Sequence, residues 1–306
     1  MRHLLTLADF TPAEVKEILA VGRDLKAKFQ QGIREPLFPG YVMGMIFQKQ
    51  SLRTRVSFES LMTHLGGSAI YLADDVGFGK REPICDFAHV MSQMLDLVMI
   101  RAKHHEDVLE FASYSSIPVI NGLTDYNHPC QALADMLTLS ELLGKADLTG
   151  RKLAWVGDAN NVAFSLALIC GKLGMEMSVA VPKAYSFSDE TLQLFSDNMN
   201  GWQPQITQDP VEAVTGANVV YTDVWVSMGQ EAEKAEREAA FAAYQVNSEL
   251  MAHCPQAYFM HCLPARRGFE VTDEVMSSPQ CVIAQEAGNR LHAQKGAVVW
   301  LLNHRD

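Results

Sequence analysis

Six short stretches of the chain carry residues that could do chemistry, and the first is Met45 to Glu59, MIFQKQSLRTRVSFE. An apolar run, Val42 to Phe47, reads as a buried strand, and a helical pattern begins near Arg53. Ser51 stands where an N-cap belongs, so its hydroxyl can accept a backbone N–H of the first turn. A strand that feeds straight into a helix N-terminus leaves several N–H groups aimed at one spot, and the helix dipole favours negative charge there. Arg53 and Arg55 add planar guanidinium forks suited to phosphate oxygens, and Thr54 adds a hydroxyl. An ordinary capped helix with a solvated basic turn explains the cap but leaves two arginines working against the dipole. An anionic ligand removes that conflict, so phosphate binding is the chemistry expected here.

The other stretches are Arg101, His128 with Gln131, Asn160-Asn161, Asp223 to Gly229, and His261 to Arg267. Arg101 closes an apolar strand, where a charge needs a partner, and an anion is a good one. Taken singly the rest are ambiguous. His128 before Pro129 also suits a turn, Cys262 suits a plain buried thiol, and Trp225 and Met228 suit core filling. Together they share one property: each follows a strand. In a parallel sheet all such positions lie on one edge.

The elements that must position them alternate. Thr11-Pro-Ala-Glu starts a helix with Val15, Ile18, Leu19 and Leu25 on one face. Strands are expected at 42–47, 69–72, 97–100 and 117–120, with helices between them and a long helix from Pro129 through Leu143. Asp74 to Glu82 reads as a mobile loop that frees Lys80 and Arg81 to reach a ligand. Gly144 to Gly150 reads as a hinge. The alternation then restarts with strands at 153–156, 177–181, 219–222 and 258–260. Val282 and Ile283 are expected to close the second sheet, and a last helix runs from about Ala287 to Asn303. The charged run Glu231 to Glu238 reads as a solvated helix face. The expected fold class is α/β, two doubly wound parallel-sheet domains with the active site in the cleft between them. Their expected bounds are 1–143, joined by the C-terminal helix 287–306, and 150–286.

Bulk properties limit the partners. With 25 Lys and Arg against 36 Asp and Glu, the formal charge of the 306 residues is −11. That balance, with no basic run, argues against nucleic acid. An anionic substrate must then be held by local arginines against the global field. Six scattered cysteines without a CxxC pair argue against a disulfide framework or zinc ribbon and for a reducing, cytoplasmic location. No apolar stretch reaches the ~18 residues that span a bilayer, so no membrane partner is expected. MRHLLTLADFTPAEV lacks the shape of a signal peptide.

SLRTRVSFE, HPCQ, DVWVSMGQE and HCLPARRGFEVTDEV, in this order, resemble the ornithine branch of the aspartate/ornithine carbamoyltransferase family. The resemblance covers Leu5 to about Leu301. SxRTR and HPxQ recur across carbamoyltransferases and imply carbamoyl phosphate; the SMG loop and HCLP are more specific and imply L-ornithine as acceptor. It implies that the domain at 1–143 binds carbamoyl phosphate and the domain at 150–286 binds ornithine. Ser51, Leu52 through its backbone N–H, Arg53, Thr54 and Arg101 would hold the phosphate. His128 would polarise the carbamoyl oxygen, while Gln131 and the Leu263 carbonyl hold the carbamoyl nitrogen. Asp223, Ser227 and Met228 would take the α-amino end of ornithine and Asn161 its carboxylate. Cys262 would orient the attacking amine without becoming a covalent nucleophile, and Arg290 would reach in from the last helix. The implied catalytic set is Arg53, Arg101, His128, Cys262 and Arg290, with no metal or redox cofactor. The implied product is citrulline, in arginine biosynthesis, from a cytoplasmic homotrimer.

Three positions depart from the family's commonest pattern: Leu52 for threonine, Gly77 for a glutamine that enters a neighbouring subunit's site, and Gly288 for glutamate. Lys80 or Arg81 is expected to take over from Gly77. Two further readings compete: a carbamoyltransferase for another amine, such as putrescine, N-acetylornithine or aspartate, and a non-catalytic anion- or partner-binding scaffold. The intact Asp223 favours a free α-amino group, and a scaffold would not be expected to keep Arg53, Arg101, His128, Asp223 and Cys262 together.

Overall fold

The structure, a computed structural model, describes residues 1–226 and 231–305, with Glu231 described by its backbone alone. Two compact units form, Met1–Leu139 with Gly288–Asp306, and Ser140–Ala287.

In the first unit Thr11 and Glu14 close a reciprocal capping box and Pro12 opens α1 (Pro12–Gln30). Strands β1 (Val42–Phe47), β2 (Ser68–Leu72), β3 (Leu97–Arg101) and β4 (Val119–Leu123) form a parallel sheet in the order β2-β1-β3-β4. The connecting helices are α2 (Leu52–His64), α3 (Ile84–Ser92) and α4 (His105–Tyr114), and α5 (Pro129–Leu142) follows β4. β1 is central and paired on both edges, and its continuous apolar run is the pattern that two covered faces require. Its register matters for function: Phe47 lies beside Arg101, and the Gln48 N–H donates to the Arg101 carbonyl at 2.9 Å. The turn into α2 and the charged end of β3 are thereby stitched together.

The second unit repeats the plan. Strands β5 (Lys152–Val156), β6 (Glu176–Ala180), β7 (Gln205–Thr207), β8 (Val219–Thr222) and β9 (Tyr258–His261) form a parallel sheet in the order β7-β6-β5-β8-β9. Around it lie α6 (Asn161–Lys172), α7 (Asp189–Asn198), α8 (Pro210–Val214), α9 (Lys234–Phe241), α10 (Ser248–Ala252) and α11 (Asp273–Met276). The last helix, α12 (Ile283–Asn303), belongs to the first unit from Gly288 onward. There it packs backbone to backbone on α1. A Cβ on Gly296 would run into the Ile18 carbonyl, and one on Gly22 into the His292 carbonyl.

Three expectations need correction. Val282 and Ile283 do not form a closing strand: only Cys281 bridges to Phe259, and Ile283 already begins α12. The edge strand β7 has no strand signal in the sequence. The run Glu231 to Glu238 is not uniformly solvated. Arg237 is buried, donating to Asp158 at 2.9 Å and to the Trp225 carbonyl at 3.0 Å. No helix among the described residues is long and apolar enough to cross a membrane.

Candidate active site

The first unit gathers its predicted residues around one hydroxyl. Ser51 caps α2, accepting the Thr54 N–H and donating to Thr54 Oγ1. That cap leaves the Leu52 and Arg53 N–H groups of the first turn without intrahelical acceptors. The Leu52 side chain is 75% exposed, so only its backbone can serve here. Fully buried Thr54 Oγ1 also accepts from Arg290 Nη2 at 2.9 Å and Arg101 Nη1 at 3.5 Å. Arg290 Nη1 donates to Gln131 Oε1 at 3.1 Å, and Gln131 Nε2 donates to the buried Asp135 at 2.9 Å. The Gln131 amide is thus held at both ends in one orientation. His128 is buried beside this group. Burial first, then the charges of Arg290, Arg101 and Arg53, holds its pKa well below the ordinary histidine value. The imidazole is therefore neutral and keeps one N–H to donate. Arg53 is half-buried, and its side chain makes no hydrogen bond or ion pair with any described residue. Several cationic groups converge here on a neutral hydroxyl and a neutral amide, which suits a bound anion.

Arg55 is not part of this group. Its Nε donates to Glu59 at 2.9 Å and its guanidinium stacks on Tyr71 at 3.9 Å. The side chain four residues on claims it, as i,i+4 geometry allows. Lys80 is likewise engaged, donating to both carboxylate oxygens of Asp74 at 2.9 Å.

The second unit collects the other residues at the ends of β5, β8 and β9. Asn160 caps α6, with its Oδ1 accepting the Val162 and Ala163 N–H groups. Its Nδ2 donates to Asp223 Oδ2 at 2.9 Å. Asn161 follows as the first residue of α6. Asp223 is buried and lies in a cluster with His261 and Cys262, whose donor atoms are all within 4.8 Å of one another. Both ring nitrogens of His261 are already engaged: Nδ1 accepts the Leu263 N–H at 2.9 Å, and Nε2 lies 3.1 Å from Glu270. The loop from Cys262 is therefore folded around a buried histidine–glutamate pair. Leu263 sits at φ +60°, the left-handed region, which costs an L-residue about 1–2 kcal/mol. Ser227 and Met228 lie outside the described residues.

The sequence profile of the aspartate/ornithine carbamoyltransferase carbamoyl-P binding domain matches residues 2–141, and that of the Asp/Orn binding domain matches 149–301. The chain belongs to the aspartate/ornithine carbamoyltransferase family. An ornithine carbamoyltransferase from Carboxydothermus hydrogenoformans is 49% identical over 305 residues, 98% of this chain and 97% of that one. One from Pyrococcus abyssi is 48% identical over 98% of this chain and 96% of its own. The solved ornithine carbamoyltransferase of Pyrococcus furiosus superposes with a TM-score of 0.94 at 45% identity, covering 99% of this chain and 97% of that one. A solved N-acetyl-L-ornithine transcarbamylase variant aligns at 31% identity with a TM-score of 0.87, covering 98% of this chain and all of that one.

Several contacts that support these candidate residues are not legible in the sequence. Asn160 anchors Asp223, Asp135 orients Gln131, and Glu270 holds His261 and the Arg266 N–H. Glu286 joins the Tyr221 hydroxyl to the His261 N–H, both at 2.9 Å. The stretch HPCQALAD places Asp135 one helical turn after Gln131, the spacing at which the two side chains meet.

Proposed function

We propose that this chain transfers the carbamoyl group of carbamoyl phosphate to the side-chain amine of L-ornithine, giving L-citrulline and phosphate, in arginine biosynthesis. The observation that carries this reading is the gathering of Arg53, Arg101 and Arg290 with a neutral His128 at the capped start of α2. The phosphate lies on the free N–H groups of Leu52 and Arg53 and on the arginines, and Ser51 and Thr54 shape the turn. The His128 N–H points to the carbamoyl oxygen, while Gln131 and the Leu263 carbonyl take the carbamoyl nitrogen. Asp223, with Ser227 and Met228, binds the ornithine α-ammonium, and Asn161 binds its carboxylate. Cys262 orients the amine.

The neutral amine attacks the carbonyl carbon and the oxygen becomes an oxyanion. His128 and the arginines stabilise that charge as it develops. The C–O bond to phosphate then breaks, and the proton shed by the nitrogen leaves with the phosphate. Holding two reactants in register supplies much of the remaining acceleration.

The family resemblance also carries an assembly. Leu52, Val56 and Ile70 are exposed along α2 and the edge strand β2, an apolar strip suited to another copy of the chain in a homotrimer. With Lys80 held by Asp74, Arg81 is the side chain left to reach a neighbour's site in place of the absent glutamine. Incubation with carbamoyl phosphate and a panel of amines tests the reaction. Citrulline from ornithine is expected; turnover of putrescine or N-acetylornithine but not ornithine would overturn it. Light scattering should report three chains per particle.

A further inference from the structure

The first unit holds a second gathering of basic side chains, built around the ring of Phe29. Arg34 stacks over that ring at 3.6 Å from its centroid, and the Lys295 ammonium lies 5.0 Å from it. The rings of His64 and His292 flank it at 5.3 and 5.0 Å. These groups come from α1, the turn after it, the end of α2, and α12. Lys295 is only 3% exposed and makes no hydrogen bond or ion pair with any described residue. Burial first, then Arg34, lowers its pKa to about 8, so it is still mostly charged at neutral pH. The buried Nδ1 of His64 has no hydrogen-bond partner. Carboxylates nearby in sequence are committed elsewhere, since Asp24 and Glu35 both pair with Lys28. Arg34 Nη1 donates to the Phe29 and Ile33 carbonyls, which leaves its Nη2 over.

A cation–π contact does not repay the cost of burying an ammonium without a counter-charge. An anion corrects the imbalance. We propose that Lys295, Arg34 and His64 form a binding site for a small inorganic oxyanion of the phosphate class, distinct from the substrate residues. Lys295 Nζ and Arg34 Nη2 donate to it, and a bound dianion favours the protonated form of His64. Arg290 and Lys295 are five residues apart on α12, so they point roughly 140° apart around the helix. The two anion sites therefore use different faces of one helix.

Equilibrium dialysis of the intact protein against radiolabelled inorganic phosphate counts the sites. Two phosphates per chain are expected for the unaltered protein and one for Lys295→Met, which should keep its normal turnover. Lys295→Arg preserves the charge and should restore two. Arg34→Met, a change at an exposed position that the fold should tolerate, is expected to weaken the same site. Arg53→Ala should lose the substrate-side phosphate and keep this one, which separates failure of this site from failure of the substrate assignment. A phosphate stoichiometry that neither Lys295→Met nor Arg34→Met lowers would overturn the proposal.

Discussion

The two units use one device with opposite sign. In the first, Arg101 and Arg290 hang on the neutral Thr54 hydroxyl and Arg290 also on the neutral Gln131 amide. In the second, the Asp223 carboxylate is held by the neutral Asn160 amide. Each charge is positioned without being neutralised by the bond that positions it. In the proposed reaction the cationic group serves a phosphorylated donor and the anionic one an ammonium-bearing acceptor. The difference lies in the support. The first group stands on a strand end, a helix N-terminus and two long helices, and the second rests largely on loops after β8 and β9. On that proposal a rigid array of donors recognises the anionic substrate, whereas acceptor choice depends on loop side chains.

The sharpest contrast should come from charge removal. Arg53→Ala or Arg101→Ala is expected to lower kcat/KM by about 10²–10³-fold, the usual loss when a transition-state donor is removed. Steady-state kinetics at saturating ornithine would show it, and near-normal turnover would remove these residues from the donor site. Asp223→Asn should act on the other side. It is expected to raise the KM for ornithine about tenfold or more, the worth of one charge-assisted hydrogen bond, and to leave the KM for carbamoyl phosphate unchanged. Parallel changes in both constants would show that the two groups are not separate.

pH separates chemistry from folding. The ornithine side-chain ammonium, lysine-like with a pKa of ~10, must lose a proton before attack. Turnover should climb from neutral to alkaline pH, and a flat profile between about pH 6 and 9 would contradict a neutral-amine nucleophile. Stability should move for a different reason. Burial lowers the pKa values of His3, His64, His105 and His128, that of His3 to about 4. Below ~6.5 an unfolded chain binds protons that these folded histidines refuse. Their contribution is therefore complete above that pH and is lost as pH falls toward the folded values. Thermal melts should fall from pH 7.5 to pH 5.5, and His128→Gln should flatten that fall. The smallest effect belongs to Arg55→Ala: its exposed pair with Glu59 is worth less than about 1 kcal/mol, so turnover should change little.

What the sequence made legible follows from locality. The β1–α2 turn could be read because an apolar run, a capping serine and a basic first turn are consecutive, and each has a local physical cause. Arg101 could be read because a charge at the end of a buried strand demands a reason. Arg55 resembles a ligand arginine in the sequence because its stacking partner, Tyr71, lies on β2, beyond the end of its own helix. Arg237 looked like one more solvated charge because its partner Asp158 lies 79 positions away. β7 has only three residues at a sheet edge, too few to show a period. Asn160 was visible as half of a pair, but its hold on Asp223 depends on β5 and β8 being neighbours.

The donor site can be tested by soaking crystals of the protein with a phosphonate bisubstrate mimic of carbamoyl phosphate and ornithine. The phosphonate is expected within hydrogen-bonding distance of the Leu52 and Arg53 N–H groups and the guanidinium of Arg101, with its amino-acid end at Asp223. A phosphonate bound elsewhere, or that turn left empty beside an occupied Asp223, would contradict it.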